Sequence, residues 1–116
     1  HFKLNHLIAF VDLNKQQLDG TTDDVMSMGD MVAKFESFGW LTKKVNGHNV
    51  DEIIEAIAAG KAQTEKPVMI ILDTIKGNGC ELALQRFPNH HIAFTAEEMA
   101  PSIEKAEAVL ARVKGE

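Results

Sequence analysis

Cysteine is almost missing from this chain. Cys80 stands alone among 116 residues, which excludes an internal disulfide and fits a reducing, cytoplasmic setting. Basic residues are also few, 12 Lys and Arg against 17 Asp and Glu, for a formal charge of −5. That balance lacks the basic face of a nucleic-acid binder, and there is no Cys/His pattern of the zinc-finger kind. Phosphate binding stays open, because helix N-termini and backbone N–H groups achieve it without net positive charge. No apolar run approaches the roughly 20 residues needed to cross a bilayer, so no membrane association is expected. The opening residues, HFKLNHLIAF, have no signal-peptide cleavage pattern. Internal repeats and low-complexity segments are absent as well. An initiator methionine is also lacking, and a buried-looking strand arrives within six residues of His1. The expectation is a chain that begins partway into something larger.

What is present is ordinary for a soluble globular domain, at 45% hydrophobic and 25% charged residues. Its length fits one domain with a modest core. The run Leu7 to Val11 predicts a strand buried on both faces, as in a parallel sheet. It leads into the polar cluster Asp12-Leu13-Asn14-Lys15-Gln16-Gln17 and an Asp19-Gly20 turn. Val25, Met28, Met31, Val32, Phe35 and Phe38 recur at helical spacing, predicting one amphipathic helix that ends at Gly39. Thr21 or Thr22 can cap it. Trp40 to Val45 predicts a short, peripheral strand. Asn46-Gly47-His48 is a turn, and Asn49 with Glu52 resembles a capping box for a helix burying Ile53, Ile54, Ile57 and Ala58. Pro67 opens a second strongly apolar strand, VMIILD, which ends in Asp73, Thr74 and the loop Lys76-Gly77-Asn78-Gly79. Cys80 to Phe94 shows little periodicity. A short turn over 96–99 and a helix from about Pro101 to Lys114 close the chain. This order predicts a doubly wound parallel α/β sheet. Three strands make a small sheet, and two of them need neighbours that the chain does not obviously supply.

Ligands of open α/β sheets lie past the carboxyl ends of the strands, so the two polar loops are the candidate site and could share one rim. Asp12, Asn14 and the main chain near Gln16 offer hard oxygen ligands, suited to Mg²⁺ or Ca²⁺ rather than Zn²⁺. A plain polar turn is the alternative reading. Lys76-Gly77-Asn78-Gly79 is neither a dinucleotide fingerprint nor a P-loop. His90 and His91 are adjacent, so only one can easily face a given ligand, as an anion contact or acid–base group. His48 reads as a surface or capping histidine, and Cys80 as an inert thiol.

Taken together, LIAFVDLNKQQLDG, DVMSMGDMVAKFESFGW, NGHNVDEIIEAI, KPVMIILDTIKGNG and the histidine loop resemble transketolase. The likeness is nearest to the small, amino-terminal subunit of the split type. It implies that residues 1–116 are the C-terminal half of a diphosphate-binding domain, with the thiamine diphosphate-binding fold present only in part as a three-layer parallel sheet. It further implies thiamine diphosphate and Mg²⁺ as cofactors. Asn14 matches the asparagine whose side-chain oxygen binds the metal, and Gln16 the residue whose backbone carbonyl is a second ligand. His90 matches a catalytic histidine that approaches diphosphate and substrate, with His91 one residue out of register. The implied reaction moves a two-carbon ketol unit from a ketose phosphate to an aldose phosphate. Gly-Asp-Gly, which carries the rest of the metal site, does not occur in this chain. The implied partners are therefore a chain or segment bearing Gly-Asp-Gly and a companion chain with the pyrimidine-binding domain, the complete unit forming a dimer. Asn49 and Asn78 depart from the aspartate and lysine usual in the family. A noncatalytic α/β interaction module derived from that fold is the competing expectation, and deoxyxylulose-phosphate synthase a related thiamine enzyme to weigh beside it.

Overall fold

The computed structural model describes residues 1–115. Three parallel strands form its centre: β1 (Ile8–Leu13), β4 (Leu41–Asn46) and β5 (Val68–Asp73), in the order β1-β5-β4. A two-stranded antiparallel hairpin, β2 (Gln16–Gln17) with β3 (Gly20–Thr21), follows β1 directly. The helices are α1 (Thr22–Met26), α2 (Met31–Ser37), α3 (Val50–Ala62), α4 (Glu81–Leu84) and α5 (Ala96–Lys114).

β5 is the middle strand, and its sequence shows why. Val68, Met69, Ile70 and Ile71 are all buried, the continuous apolar run expected of a parallel strand covered on both faces. Val68 and Ile70 pack with Val45 and Ala56, joined by Ile8, Ile53, Ile57 and Leu72, so α3 covers this face. Gly60 lets α3 lie close to the sheet, since a Cβ there would stand 3.3 Å from both Ile8 Cδ1 and Val68 Cγ1. Residues alternate sides along a strand. Ile71 accordingly faces the other way, toward Met31 and Val32 of α2. The result is the three-layer α/β arrangement that the sequence predicts.

The opening strand departs from expectation. β1 is an edge strand, and Phe10 is 48% exposed. Its apolar run predicts burial on both faces, but among the described residues only β5 pairs with it. The single helix predicted over Thr21 to Phe38 is two. Gly29 takes φ +56, and Asp30 caps α2 by accepting from the Ala33 N–H at 3.0 Å. α1 ends where Ser27 turns extended, and a left-handed Gly29 followed by a fresh N-cap starts α2, while the apolar spacing runs on across the break. At the C-terminus the opposite correction applies. Thr95 and Glu98 form a complete capping box, and α5 runs unbroken through Pro101. The capping box sets the start of the helix at Ala96, so Pro101 falls in its second turn and forgoes one backbone bond there.

Candidate functional site

The register of the sheet creates the site. Leu13 pairs with Asp73 and Asn46 pairs with Asp73, so β1, β5 and β4 end at one level. The loops that follow them therefore meet on one rim, where a parallel sheet presents its ligands. Gly47 is required for this convergence: a Cβ there would overlap Thr74 Cγ2 and lie 3.0 Å from Leu72 Cβ.

Asp12 anchors the loop after β1. One carboxylate oxygen accepts from the Thr74 hydroxyl, and the other accepts from Asn14 Nδ2 at 2.9 Å. The Thr74 bond, then the Asn14 bond, hold its carboxyl below the usual aspartate range, with Lys76 adding positive charge nearby. Asn14 is thus oriented with its amide nitrogen committed to Asp12. Its Oδ1 accepts from the Gln16 N–H at 3.0 Å.

The Gln16 main chain is turned toward the same side. The Thr22 N–H donates to the Lys15 carbonyl at 3.0 Å, and the register pairs Gln16 with Thr21. Bonded and non-bonded pairs alternate in an antiparallel ladder. With Lys15 and Thr22 bonded, Gln16 and Thr21 are the non-bonded pair, so the Gln16 N–H and C=O both point away from the hairpin partner. Asn14 Oδ1 and the Gln16 carbonyl together form a two-oxygen edge. Between them Lys15 adopts φ +63. Among the described residues no group of three or more His, Cys, Asp or Glu could hold a metal. A cation here would rest on amide and carbonyl oxygens, the hard-ligand chemistry of Mg²⁺, completed by oxygens from elsewhere.

Across the rim, Asp73 bridges two lysines. Lys15 Nζ donates to one of its oxygens, and Lys44 Nζ lies 2.9 Å from the other. Hydrogen bonds from Lys15 and then Lys44 lower its carboxyl below the ordinary value. Lys15, Lys44, His48, Asp73 and Ile75 line a cleft of about 450 Å³.

His90 is carried in from the loop after α4. Lys76 Nζ lies 2.9 Å from its Nδ1, and Asn89 ties the two loops by donating to the Lys76 and Ala83 carbonyls at 3.3 and 3.2 Å. Donation from the Lys76 ammonium leaves the other ring nitrogen, Nε2, to carry the proton of the neutral imidazole. His91 packs edge-to-face on His90, with ring centroids 4.6 Å apart. His48, which reads in sequence as a surface or capping histidine, accepts at Nε2 from the Ile75 N–H at 2.8 Å and so fastens the loop after β5. Its signal is position: a histidine directly after the turn glycine at a strand's carboxyl end. Cys80 stays outside the cluster, half-buried ahead of α4.

The profile of the transketolase thiamine diphosphate binding domain matches residues 1–107. The chain belongs to the transketolase family. It is 37% identical over 105 residues to a 6-deoxy-6-sulfo-D-fructose transketolase subunit of Clostridium sp. (strain MSTE9), a match covering 90% of this chain and 38% of that protein. It is 30% identical over 115 residues to one of the apulose-4-phosphate transketolase subunits of Phocaeicola vulgatus, covering 99% and 41% respectively. The chain thus spans about two-fifths of the length of those relatives. Among solved structures, a Pichia stipitis transketolase variant with fructose 6-phosphate aligns with TM-score 0.65 and 27% identity, over 93% of this chain and 19% of that one. Campylobacter jejuni transketolase aligns with TM-score 0.75 at 24% identity, over 90% and 16%, and supports the fold.

Proposed function

We propose that residues 1–116 are the C-terminal half of the diphosphate-binding domain of a transketolase, acting only within a larger assembly. The observation that carries this is the two-oxygen edge of Asn14 Oδ1 and the Gln16 carbonyl at the rim of a sheet from a thiamine diphosphate-binding family. These two oxygens would hold Mg²⁺, which anchors the cofactor's diphosphate together with an aspartate from a Gly-Asp-Gly segment on another chain or segment. Thiamine diphosphate, when bound, supplies the nucleophilic carbon and electron sink for moving a two-carbon ketol unit from a ketose phosphate to an aldose phosphate.

The chain's own groups position and charge the site. Asp12 fixes the Asn14 amide so that its oxygen is the end left for a cation. His90 offers Nε2–H as a donor to an anionic oxygen, with Lys76 adding positive charge beside it. The pyrimidine-binding domain comes from a companion subunit, the complete unit is a dimer, and the enzyme works in the cytoplasm.

Calorimetric titration of the assembled enzyme with Mg²⁺, at saturating thiamine diphosphate, tests the reading. Asn14→Ala is expected to weaken Mg²⁺ binding by at least about tenfold, since losing even an outer-shell partner of a metal ligand costs roughly tenfold to a hundredfold. Unchanged Mg²⁺ affinity in Asn14→Ala would remove Asn14 from the metal site. Absence of any Mg²⁺ and cofactor binding by the assembly would favour the noncatalytic module instead.

A further inference from the structure

Lys15 makes a backbone turn that glycine makes freely and lysine does not. Its φ of +63 lies in the left-handed region, where Cβ crowds the following carbonyl. The residue sits between Asn14 and Gln16, so this turn is what brings Asn14 Oδ1 and the Gln16 carbonyl to one side. On one flank the hairpin holds it, through the Thr22 N–H on the Lys15 carbonyl. On the other, the Lys15 side chain reaches across the rim to Asp73 at the end of the central strand, 58 positions away in sequence. Asp73 is itself held from the opposite side by Lys44 at 2.9 Å. Three loop and strand ends, after β1 and within β4 and β5, are thereby tied through one carboxylate.

We infer that Asp73 is a positioning residue for the Mg²⁺ half-site: by holding the Lys15 ammonium across the sheet, it stabilises the left-handed turn that presents both oxygens. Without its carboxylate, the Lys15 and Lys44 ammonium groups lose the anion between them and repel, which pulls Lys15 off its anchor. The turn then rests on the hairpin alone, in a residue type that disfavours it. Glycine at position 15 needs no such tether. The role of Asp73 therefore depends on which residue occupies position 15, and a purely structural role would not.

The inference rests on the metal site proposed above, and a four-protein cycle separates the two. Wild type, Asp73→Asn, Lys15→Gly and the double variant Lys15→Gly/Asp73→Asn are each assembled with the polypeptide bearing Gly-Asp-Gly and with the companion subunit. Each is titrated calorimetrically with Mg²⁺ at saturating thiamine diphosphate. In the same proteins without Mg²⁺, hydrogen exchange of the Gln16 amide, which donates to Asn14 Oδ1, reports the turn directly. Asp73→Asn is expected to weaken Mg²⁺ binding by about three- to fivefold, the reach of a partly exposed ion pair, and to speed Gln16 exchange by a similar factor. In the Lys15→Gly background the same substitution is expected to change either readout by less than about twofold, as for sites that no longer interact. Equal losses in both backgrounds, or no loss beside Lys15, overturn the inference. If none of the four binds Mg²⁺, the proposed function fails instead, and Gln16 exchange still decides whether Asp73 supports the turn.

Discussion

Asp73 and Asp12 are the two rim carboxylates whose ionised forms the fold favours. Hydrogen bonds from Lys15 and Lys44 lower the first, and those from Thr74 and Asn14 lower the second. The sign of the resulting pH dependence follows. A carboxylate with a depressed folded value contributes stability above its unfolded value of about 3.9, and loses that contribution as pH falls through the folded value. Asp73→Asn is therefore expected to be less stable than wild type at neutral pH, with the gap closing as pH drops below about 4. Denaturant midpoints of the two proteins across that range check it. A gap that widened in acid would mean that the lysines do not stabilise the ionised form. His48 and His90 act at the same scale through single hydrogen bonds, each joining one loop to another. Their importance is only partly legible in sequence, because a histidine's role depends on which backbone N–H or ammonium the fold brings to its ring.

At the scale of elements, sequence patterns read well wherever one local signal dominates. The continuous apolar run of β5 foretells a buried parallel strand, and the polar residues after β1 and β5 foretell a shared rim. Asn49 foretells the start of α3: its side-chain oxygen accepts from the Asp51 and Glu52 N–H groups at 3.1 and 3.3 Å. Glu52 reciprocates differently from an ordinary capping box, accepting from Asn49 Nδ2 and from the Asn46 N–H, both at 2.9 Å. An asparagine suits this position because its amide donates where an aspartate would face Glu52 with like charge. Asn49→Ala is expected to cost about 1 kcal/mol in unfolding free energy, and Asn49→Ser, which keeps an acceptor, clearly less. Chemical denaturation of both variants checks this, and equal losses would show that the cap oxygen is not what matters. The patterns mislead where two signals compete. Between Val25 and Phe38 the apolar spacing survives a break made by Gly29 and Asp30, so periodicity alone does not locate it. In α5 the capping box prevails over Pro101. Phe10 looks like core because its neighbours are apolar, yet what covers an edge strand is decided outside its own sequence.

The whole molecule is flat and open. Its radius of gyration is 18.0 Å and its extents are 53 × 41 × 19 Å, against about 13 Å expected for a compact chain of roughly this length. Few apolar side chains are fully buried; Phe10 is nearly half exposed, and Leu18, Met26 and Phe38 are more than half exposed. α5 meets α4 but leaves Ile103, Val109, Leu110 and Val113 largely open. Apolar surface on this scale is favourable to cover, at about 25 cal/mol per Å². The candidate site tells the same story in chemical terms. On the proposed reading its oxygens would supply two of the six ligands that Mg²⁺ takes, and no Gly-Asp-Gly exists within the chain to extend them. Surface and site therefore make the same demand, for polypeptide packed along β1 and over the rim. The purified 116-residue chain is accordingly expected to show no transketolase turnover with thiamine diphosphate, Mg²⁺ and sugar phosphates. Adding the chain or segment that bears Gly-Asp-Gly, together with a companion chain carrying the pyrimidine-binding domain, is expected to give turnover and slow amide exchange in β1 together. Native mass spectrometry alongside the kinetic assay would show whether complex formation and activity appear at the same stoichiometry. Measurable turnover by the chain alone would mean that the two-oxygen edge suffices to hold the cofactor, and would overturn the requirement for a partner.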